Sequence, residues 1–98
     1  MKNLLIILTI SSGLFAHTPL LTCMDEGDGT VTCEGGFSDG SSAGGVRFRV
    51  EQNSKVIIDT KLNSNSEVNF KKPAGKYVAI FDAGDKHIVI IDSKDIFE

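Results

Sequence analysis

Apolar and polar residues alternate along much of the chain after residue 45, with the two-residue period of half-buried β-strands. The clearest example is "VRFRV" at 46–50, where the valines and the phenylalanine fall on one face and the arginines on the other. Four more stretches of strand-forming residues follow, separated by residues that favour turns. They cover 55–62, 67–70, 76–81 and 87–92. Because helical periodicity is lacking, the pattern predicts an all-β protein, a small antiparallel β-sandwich.

The same alternation predicts which side chains form the core. Apolar residues two positions apart on a strand point to the same face, and that face packs inward. Phe48 and Phe70 each have such an apolar neighbour, so we expect them to be among the most buried residues. The predicted core positions are Val46, Phe48, Val50, Val68, Phe70, Val78, Ile80, Ile88 and Ile90. Glycines are frequent in 35–45, and we expect that stretch to be loop-like or bulged.

The first sixteen residues have a different pattern. A short positive start with Lys2 is followed by a run of mostly apolar residues at 4–10 and by small residues before Ala16. This is the layout of a secretory signal peptide, and the run is too short for a membrane span of roughly 20 residues. We expect cleavage after Ala16, with cleavage after Gly13 as the alternative. Cleavage after Ala16 makes His17 the first residue of a periplasmic protein.

Cys23 and Cys33 are the only cysteines of the chain. An exported protein meets an oxidising compartment, so we predict a disulfide, which would stabilise the fold by roughly 3 kcal/mol. The alternative is a pair of thiolate metal ligands, but the spacing of the two cysteines matches no zinc finger or zinc ribbon. We therefore divide the chain into a signal peptide at 1–16, an N-terminal arm with a disulfide loop at 17–34, and a β-sandwich domain at 35–98.

The charge of the chain argues against two classes of partner. Ten basic and thirteen acidic residues give a formal net charge of −3, and loss of Lys2 with the signal makes it −4. Nucleic acids and anionic membrane surfaces need clustered Lys and Arg, whereas the basic residues here are scattered apart from Lys71–Lys72. We expect no nucleic-acid partner. No later stretch is long and apolar enough for a membrane span, so we also expect none after signal cleavage.

His17 and His87 are the only histidines. A terminal His17 offers its α-amine and imidazole Nδ1 as a chelate, and these nitrogen donors suit Cu(II) and Ni(II). His87 stands where a turn enters the last strand, a place where rigid scaffolds present functional side chains. The alternative for His87 is a surface residue without a ligand. We predict that the two histidines lie together and bind a divalent transition metal (Ni, Co or Cu).

Carboxylates near these histidines are candidates for a supporting role. Asp82 precedes the turn before His87 and can brace its imidazole, as carboxylates do around metal-bound histidines. Asp25 and Asp28 lie between the cysteines and can supply a carboxylate to a metal or attract cations. Each has a structural alternative, because Asp82 is also a turn-forming residue and the acidic run at 25–28 is also typical of a solvated turn. That run lacks the ligand spacing of an EF-hand loop.

Signals for catalysis are weak. The sequence has no Gly-x-Ser-x-Gly nucleophile elbow and no glycine-rich phosphate loop leading into a helix. Two histidines in so small a chain would have to provide both a base and a scaffold. We therefore expect a protein that is not an enzyme.

A resemblance to a known type of domain supports the fold. The segments "SAGGVRFRV", "KVIIDTKLNSNSEVNF", "KPAGKYVAIFDAG" and "HIVIID" follow one another as in the transthyretin-like, carboxypeptidase-regulatory β-sandwiches. The turn-strand motif P-x-G-x-Y corresponds to Pro73, Gly75 and Tyr77. The resemblance covers about residues 35 to 92. It implies a transthyretin-like or immunoglobulin-like sandwich and specifies fold more than activity.

A narrower resemblance concerns function. The start "AHTPLL-x-C", a second cysteine before a glycine-rich stretch, and "FDAG-x-x-H" near the end resemble small periplasmic accessory proteins of nickel/cobalt-type metal uptake systems. The resemblance implies a metal-binding or metal-presenting role in the periplasm, with a membrane metal transporter as partner. The alternative is a non-catalytic β-sandwich interaction module of an envelope complex, which adds an edge strand or a loop surface to its partner.

Overall fold

Seven β-strands account for most of residues 17–98. The computed structural model describes residues 17–98, so the predicted signal peptide lies outside the described residues. The strands are β1 (Pro19–Asp25), β2 (Thr30–Phe37), β3 (Arg47–Gln52), β4 (Lys55–Lys61), β5 (Glu67–Lys71), β6 (Val78–Asp82) and β7 (Ile88–Asp92). A single 3-10 turn, Ser93–Asp95, follows β7. Within 17–98, no helix is long and apolar enough to cross a membrane.

The strands form two antiparallel sheets, which confirms the predicted all-β sandwich. One sheet has the order β1-β2-β5 and the other the order β4-β3-β6-β7. In a constant-type immunoglobulin sandwich the fourth strand pairs with the fifth. Here β4 pairs with β3 instead, through a two-residue turn at Asn53–Ser54 in which both residues have positive φ, as in a type I′ hairpin. Five of the strands, β3 to β7, were expected within one or two residues of their observed bounds.

Aromatic side chains fill the space between the sheets. Phe48 is fully buried and Phe70 is 6% exposed, as expected from the alternation. Their ring centroids are 5.6 Å apart, and Phe70 meets Tyr77 edge-on at 6.2 Å. Such tilted and edge-to-face contacts add to the stabilisation that comes from burial. Phe81 from β6 is also fully buried, so the core is centred on β3 and β6.

The predicted core positions of the last strand were wrong. Ile88 is 48% exposed and Ile90 is 62% exposed, whereas Val89 and Ile91 pack against the core. Four apolar residues follow one another in β7, so the sequence has no alternation that marks the inward face. The predicted inward face was therefore wrong by one residue. Among the other expected core residues, Val50 and Ile80 are buried, and Val46, Val68 and Val78 are half-buried.

The segment expected to be an arm, 17–34, is instead part of the sandwich. β1 and β2 form a hairpin whose inner face carries buried Val31 and Cys33, and β2 pairs with β5. β2 also continues into the glycine-rich stretch that was expected to be a loop. A Cβ at Gly35 would lie 2.7 Å from the Leu62 side chain and 2.8 Å from that of Phe81, so close packing requires glycine there. The domain therefore begins at β1 and not at residue 35.

The predicted disulfide is confirmed. Cys23 and Cys33 face each other directly across β1 and β2, with Cα atoms 4.0 Å apart and an S–S distance of 2.03 Å. Cys33 is fully buried and belongs to the core. The bond therefore joins the middle of two paired strands and holds the edge strand β1 against the sandwich.

Candidate metal centre

The pairing of β1 with β2 fixes the position of His17. Pro19 lies opposite Phe37, and the ladder extends one residue further, where the Ser38 amide donates to the Thr18 carbonyl (2.9 Å). In return, the Thr18 amide donates to the Ser38 hydroxyl (3.1 Å). His17 therefore comes to lie beside Asp39, the next residue along the opposite strand. Residues 17–19, Asp39 and the turn at 84–87 together are called the histidine end.

Asp39 contacts the His17 imidazole. Its Oδ2 lies 3.2 Å from His17 Nδ1. Its Oδ1 accepts hydrogen bonds from the amide (2.9 Å) and the hydroxyl (2.6 Å) of Ser41. These bonds from Ser41, with a smaller contribution from the charge of His17, hold the pKa of Asp39 below its ordinary value. The carboxylate is therefore ionised at neutral pH.

His87 belongs to the turn between β6 and β7. The Ala83 amide donates to the His87 carbonyl (3.0 Å), and the His87 amide donates to the Gly84 carbonyl (2.9 Å). Gly84 and Lys86 both adopt positive φ, which makes the turn tight. The imidazole Nδ1 of His87 lies 2.6 Å from the main-chain carbonyl oxygen of Asp85. The turn thus holds both the backbone and the ring of His87.

The two histidines line the same surface depression. This open depression, of about 390 Å³, is formed by His17, Thr18, Pro19, Lys86 and His87. The structure thus places the start of β1 beside the β6–β7 turn. Lys86, one of the lining residues, carries a positive charge, which by itself disfavours a cation.

Side chains alone provide few ligands here. Across residues 17–98, no group of three or more His, Cys, Asp and Glu side chains is arranged to hold a metal ion. A metal bound between His17 and His87 must therefore complete its coordination with water, a main-chain group or atoms of a partner.

Asp82 is engaged by other groups. Its Oδ2 accepts a 2.7 Å hydrogen bond from Arg49, and its Oδ1 accepts one of 3.0 Å from the Gly84 amide. The bond from Arg49, and next the one from Gly84, hold the pKa of Asp82 below its ordinary value. Asp82 therefore supports the turn that carries His87, and the oxygen in contact with the ring is that of Asp85.

Asp25 and Asp28 lie far from His17. Asp25 ends β1 and Asp28 lies in the β1–β2 turn, at the other end of a strand that spans about 20 Å from Pro19 to Asp25 at the usual rise per residue. Asp25 forms an ion pair of 2.6 Å with Lys72, and Asp28 accepts hydrogen bonds from the amide and the hydroxyl of Thr30. We call this region, residues 25–30, the hairpin end. The structure does not bring it together with the two histidines.

Sequence reasoning missed Asp39. The residue stands in a stretch of serines and glycines that was expected to be a loop, and nothing local marks it. The two cysteines could have revealed Asp39, because a disulfide between paired strands sets their register. If Cys23 and Cys33 face each other in a hairpin, counting outward along both strands pairs His17 with Asp39.

Comparisons with protein-family models, with curated proteins and with solved structures found no match for the chain. The candidate function therefore rests on the residues of the histidine end.

Proposed function

We propose that this protein binds a divalent transition metal ion (nickel, cobalt or copper) at the histidine end and presents it in the periplasm as an accessory to metal import. The observation that carries the proposal is the shared depression lined by His17 and His87, the only two histidines of the chain. They are 70 residues apart in sequence and adjoin strands of different sheets, β1 and β7. Imidazole is a preferred ligand of all three metals.

The electrostatics of the histidine end support a weakly held ion. Asp39 brings a negative charge next to His17, and Lys86 brings a positive charge to the same depression. The site is open to solvent, since the His17 side chain is 70% exposed. An ion held by two imidazoles at the surface remains accessible to a second protein, as metal transfer to a membrane transporter requires.

Calorimetric titration of the mature protein with Ni(II), Co(II) or Cu(II) tests the proposal. The protein should begin at His17 and be fully oxidised, which intact-mass measurement verifies. We expect one ion per chain. His17→Ala and His87→Ala should each weaken binding by more than the 10–100-fold that loss of a ligand's hydrogen-bond partner costs. Asp28→Ala, at the hairpin end, serves as the control and should not change the affinity. Equal affinities in all four proteins would contradict the proposal.

A second candidate function is supported by the outer face of β7. This edge strand exposes Ile88 and Ile90, and an edge strand with exposed apolar residues is suited to pairing with another chain. Under this alternative the protein is a non-catalytic interaction module of an envelope complex. Ile90→Lys would then abolish its cellular role while His17→Ala would not. The metal proposal expects the reverse.

A further inference from the structure

We propose that the metal is bound by the Nε2 atoms of His17 and His87, and that Asp39 and the main-chain carbonyl of Asp85 hold the Nδ1–H form of the two rings. This inference rests on the proposed function and names the ligand atoms of its site. It assigns Asp39 as a positioning residue. It also differs from an amino-terminal chelate, in which His17 would bind through its α-amine and Nδ1.

The contact at His87 determines where its proton lies. A main-chain carbonyl oxygen can only accept a hydrogen bond. Because His87 Nδ1 lies 2.6 Å from the Asp85 oxygen, Nδ1 must carry the proton. In a neutral imidazole the other nitrogen, Nε2, then has the free electron pair, which is the atom available to a metal.

The contact with Asp39 determines where the proton of His17 lies. An ionised carboxylate is also an acceptor only. Asp39 accepts the amide and hydroxyl of Ser41 at Oδ1 and turns Oδ2 toward His17 Nδ1. The proton of neutral His17 is therefore on Nδ1. Nε2 of this ring is left without a proton, on a side chain that is 70% exposed.

Two rings prepared in this way form a recognisable arrangement. Histidines that bind metals almost always donate their other ring N–H to a carboxylate or a main-chain carbonyl, which fixes the tautomer and raises the basicity of the ligating nitrogen. Here one partner of each kind is present, and both rings line one depression. In the proposed site both rings thus have a partner at Nδ1 before any metal arrives.

The amino-terminal chelate requires a different arrangement. It uses Nδ1 of His17, so the ring would have to leave Asp39 and turn over. The pair of Nε2 atoms needs neither this movement nor a free α-amine at His17. Binding through Nε2 therefore tolerates residues before His17, including the three residues that cleavage after Gly13 would leave.

Nitrogen-15 NMR of the imidazole rings in the metal-free protein tests the tautomers directly. At about pH 8 both rings should show the Nδ1–H pattern. Asp39→Ala should remove this pattern from His17 and leave it at His87, and Asp39→Asn should restore it in part. Asp28→Ala is a matched control, because Asp28 makes the same hydrogen bonds to Thr30 that Asp39 makes to Ser41. An Nε2–H pattern at either ring of the wild-type protein would overturn the inference.

Titration with Ni(II) tests the ligand atoms. The protein is prepared in two forms, one beginning at His17 and one at Leu14. We expect similar affinities, within about threefold, and a 10–100-fold loss in Asp39→Ala of either form. Binding only by the form that begins at His17 would overturn the inference, because the α-amine would then be a ligand, and would leave the proposed function standing. If neither form binds Ni(II), Co(II) or Cu(II), the inference and the proposed function both fail.

Discussion

The two ends of the β1–β2 hairpin have similar residues and different chemistry. At the hairpin end, Asp28 accepts hydrogen bonds from the amide and hydroxyl of Thr30, at 3.0 and 2.6 Å. At the histidine end, Asp39 accepts the same two bonds from Ser41, at 2.9 and 2.6 Å. The local turns are nearly identical. Only Asp39 has an imidazole next to its second oxygen.

The difference shows that the neighbour across the sheet, and not the local turn, makes a carboxylate a candidate for function. At the hairpin end the acidic residues are bonded to Thr30, Lys72 and the adjacent backbone, so they stabilise the turn. At the histidine end Asp39 and Asp85 each place an oxygen next to Nδ1 of one ring, and in our proposal Nε2 of each ring then binds the metal. Four changes, taken from the largest expected effect to the smallest, test how far the two ends are independent.

Phe48→Ala should have the largest effect, because this fully buried ring supports the sandwich between both ends. Truncating a buried phenylalanine costs about 3–5 kcal/mol, through lost burial and the cavity that remains. We expect the free energy of unfolding in urea to fall by that amount, with one cooperative transition. If the NMR signals of the two ends disappear at different urea concentrations, the two ends do not belong to one cooperative unit.

Removing the disulfide should have the next largest effect. The double variant Cys23→Ala, Cys33→Ala frees the unfolded chain from an eleven-residue loop and should lower the free energy of unfolding by about 3 kcal/mol. Because the backbone ladder still sets the register, the folded protein should bind metal with unchanged affinity. A lost metal site in a folded variant would mean that the disulfide, and not the ladder, positions His17.

Acid should weaken both ends alike. The pKa values of Asp25, Asp28 and Asp39 are lowered from 3.8, chiefly by hydrogen bonds from Lys72, Thr30 and Ser41 respectively. A lowered pKa in the folded state contributes stability that is present above the unfolded value and is lost as the pH falls through the folded value. We expect the melting temperature to drop below about pH 4.

Variants separate the contributions to this acid response. Asp28→Asn and Asp39→Asn should each reduce the drop, and a steeper drop in either variant would contradict the assigned direction of the pKa shifts. Asp39→Asn should in addition alter metal binding, which Asp28→Asn should not. Measuring the melting temperature and the metal affinity of both variants therefore separates a carboxylate that only stabilises the fold from one that also positions a ligand.

Ser54→Gly should have the smallest effect and should stabilise the protein. Ser54 has φ of 63° in the β3–β4 turn, in the left-handed region that costs a non-glycine residue roughly 1 kcal/mol. Glycine avoids this cost but loses more entropy on folding, so the net gain should be up to about 1 kcal/mol in chemical denaturation. Asn53→Gly is the control and should gain less, since Asn tolerates this region better. Destabilisation by Ser54→Gly would contradict the assigned turn.

The sequence predicted most of the sandwich where its pattern was unambiguous. Alternation around Phe48 and Phe70 identified both the strands and their buried faces. In β7, four consecutive apolar residues fit either face, and the prediction placed Ile88 and Ile90 inward when Val89 and Ile91 occupy that side. The threonines, cysteines and glycines of β1 and β2 lack a regular apolar alternation, so the pattern predicts an arm where the structure has two strands.

The candidate site was predicted only in part. His17 and His87 were identified because they are the only histidines, one at the predicted mature N-terminus and one at the start of the last strand. The topology places both at one depression. Asp39 could not be found, because its role depends on the register between β1 and β2. Asp82, Asp25 and Asp28 were selected for their closeness in sequence to a histidine or a cysteine. Their oxygens are bonded to Arg49, Lys72 and Thr30, which only the folded arrangement reveals.

Metal binding at the histidine end can be tested directly by an NMR titration of the mature protein with Cu(II), whose unpaired electron broadens the signals of nearby nuclei. As Cu(II) is added up to one equivalent, we expect the signals of His17, Thr18 and His87 to broaden first. Those of the hairpin end, residues 25–30, should stay sharp because they lie about 20 Å away along β1. Broadening centred on the hairpin end, or spread evenly over the protein, would contradict metal binding by the two histidines.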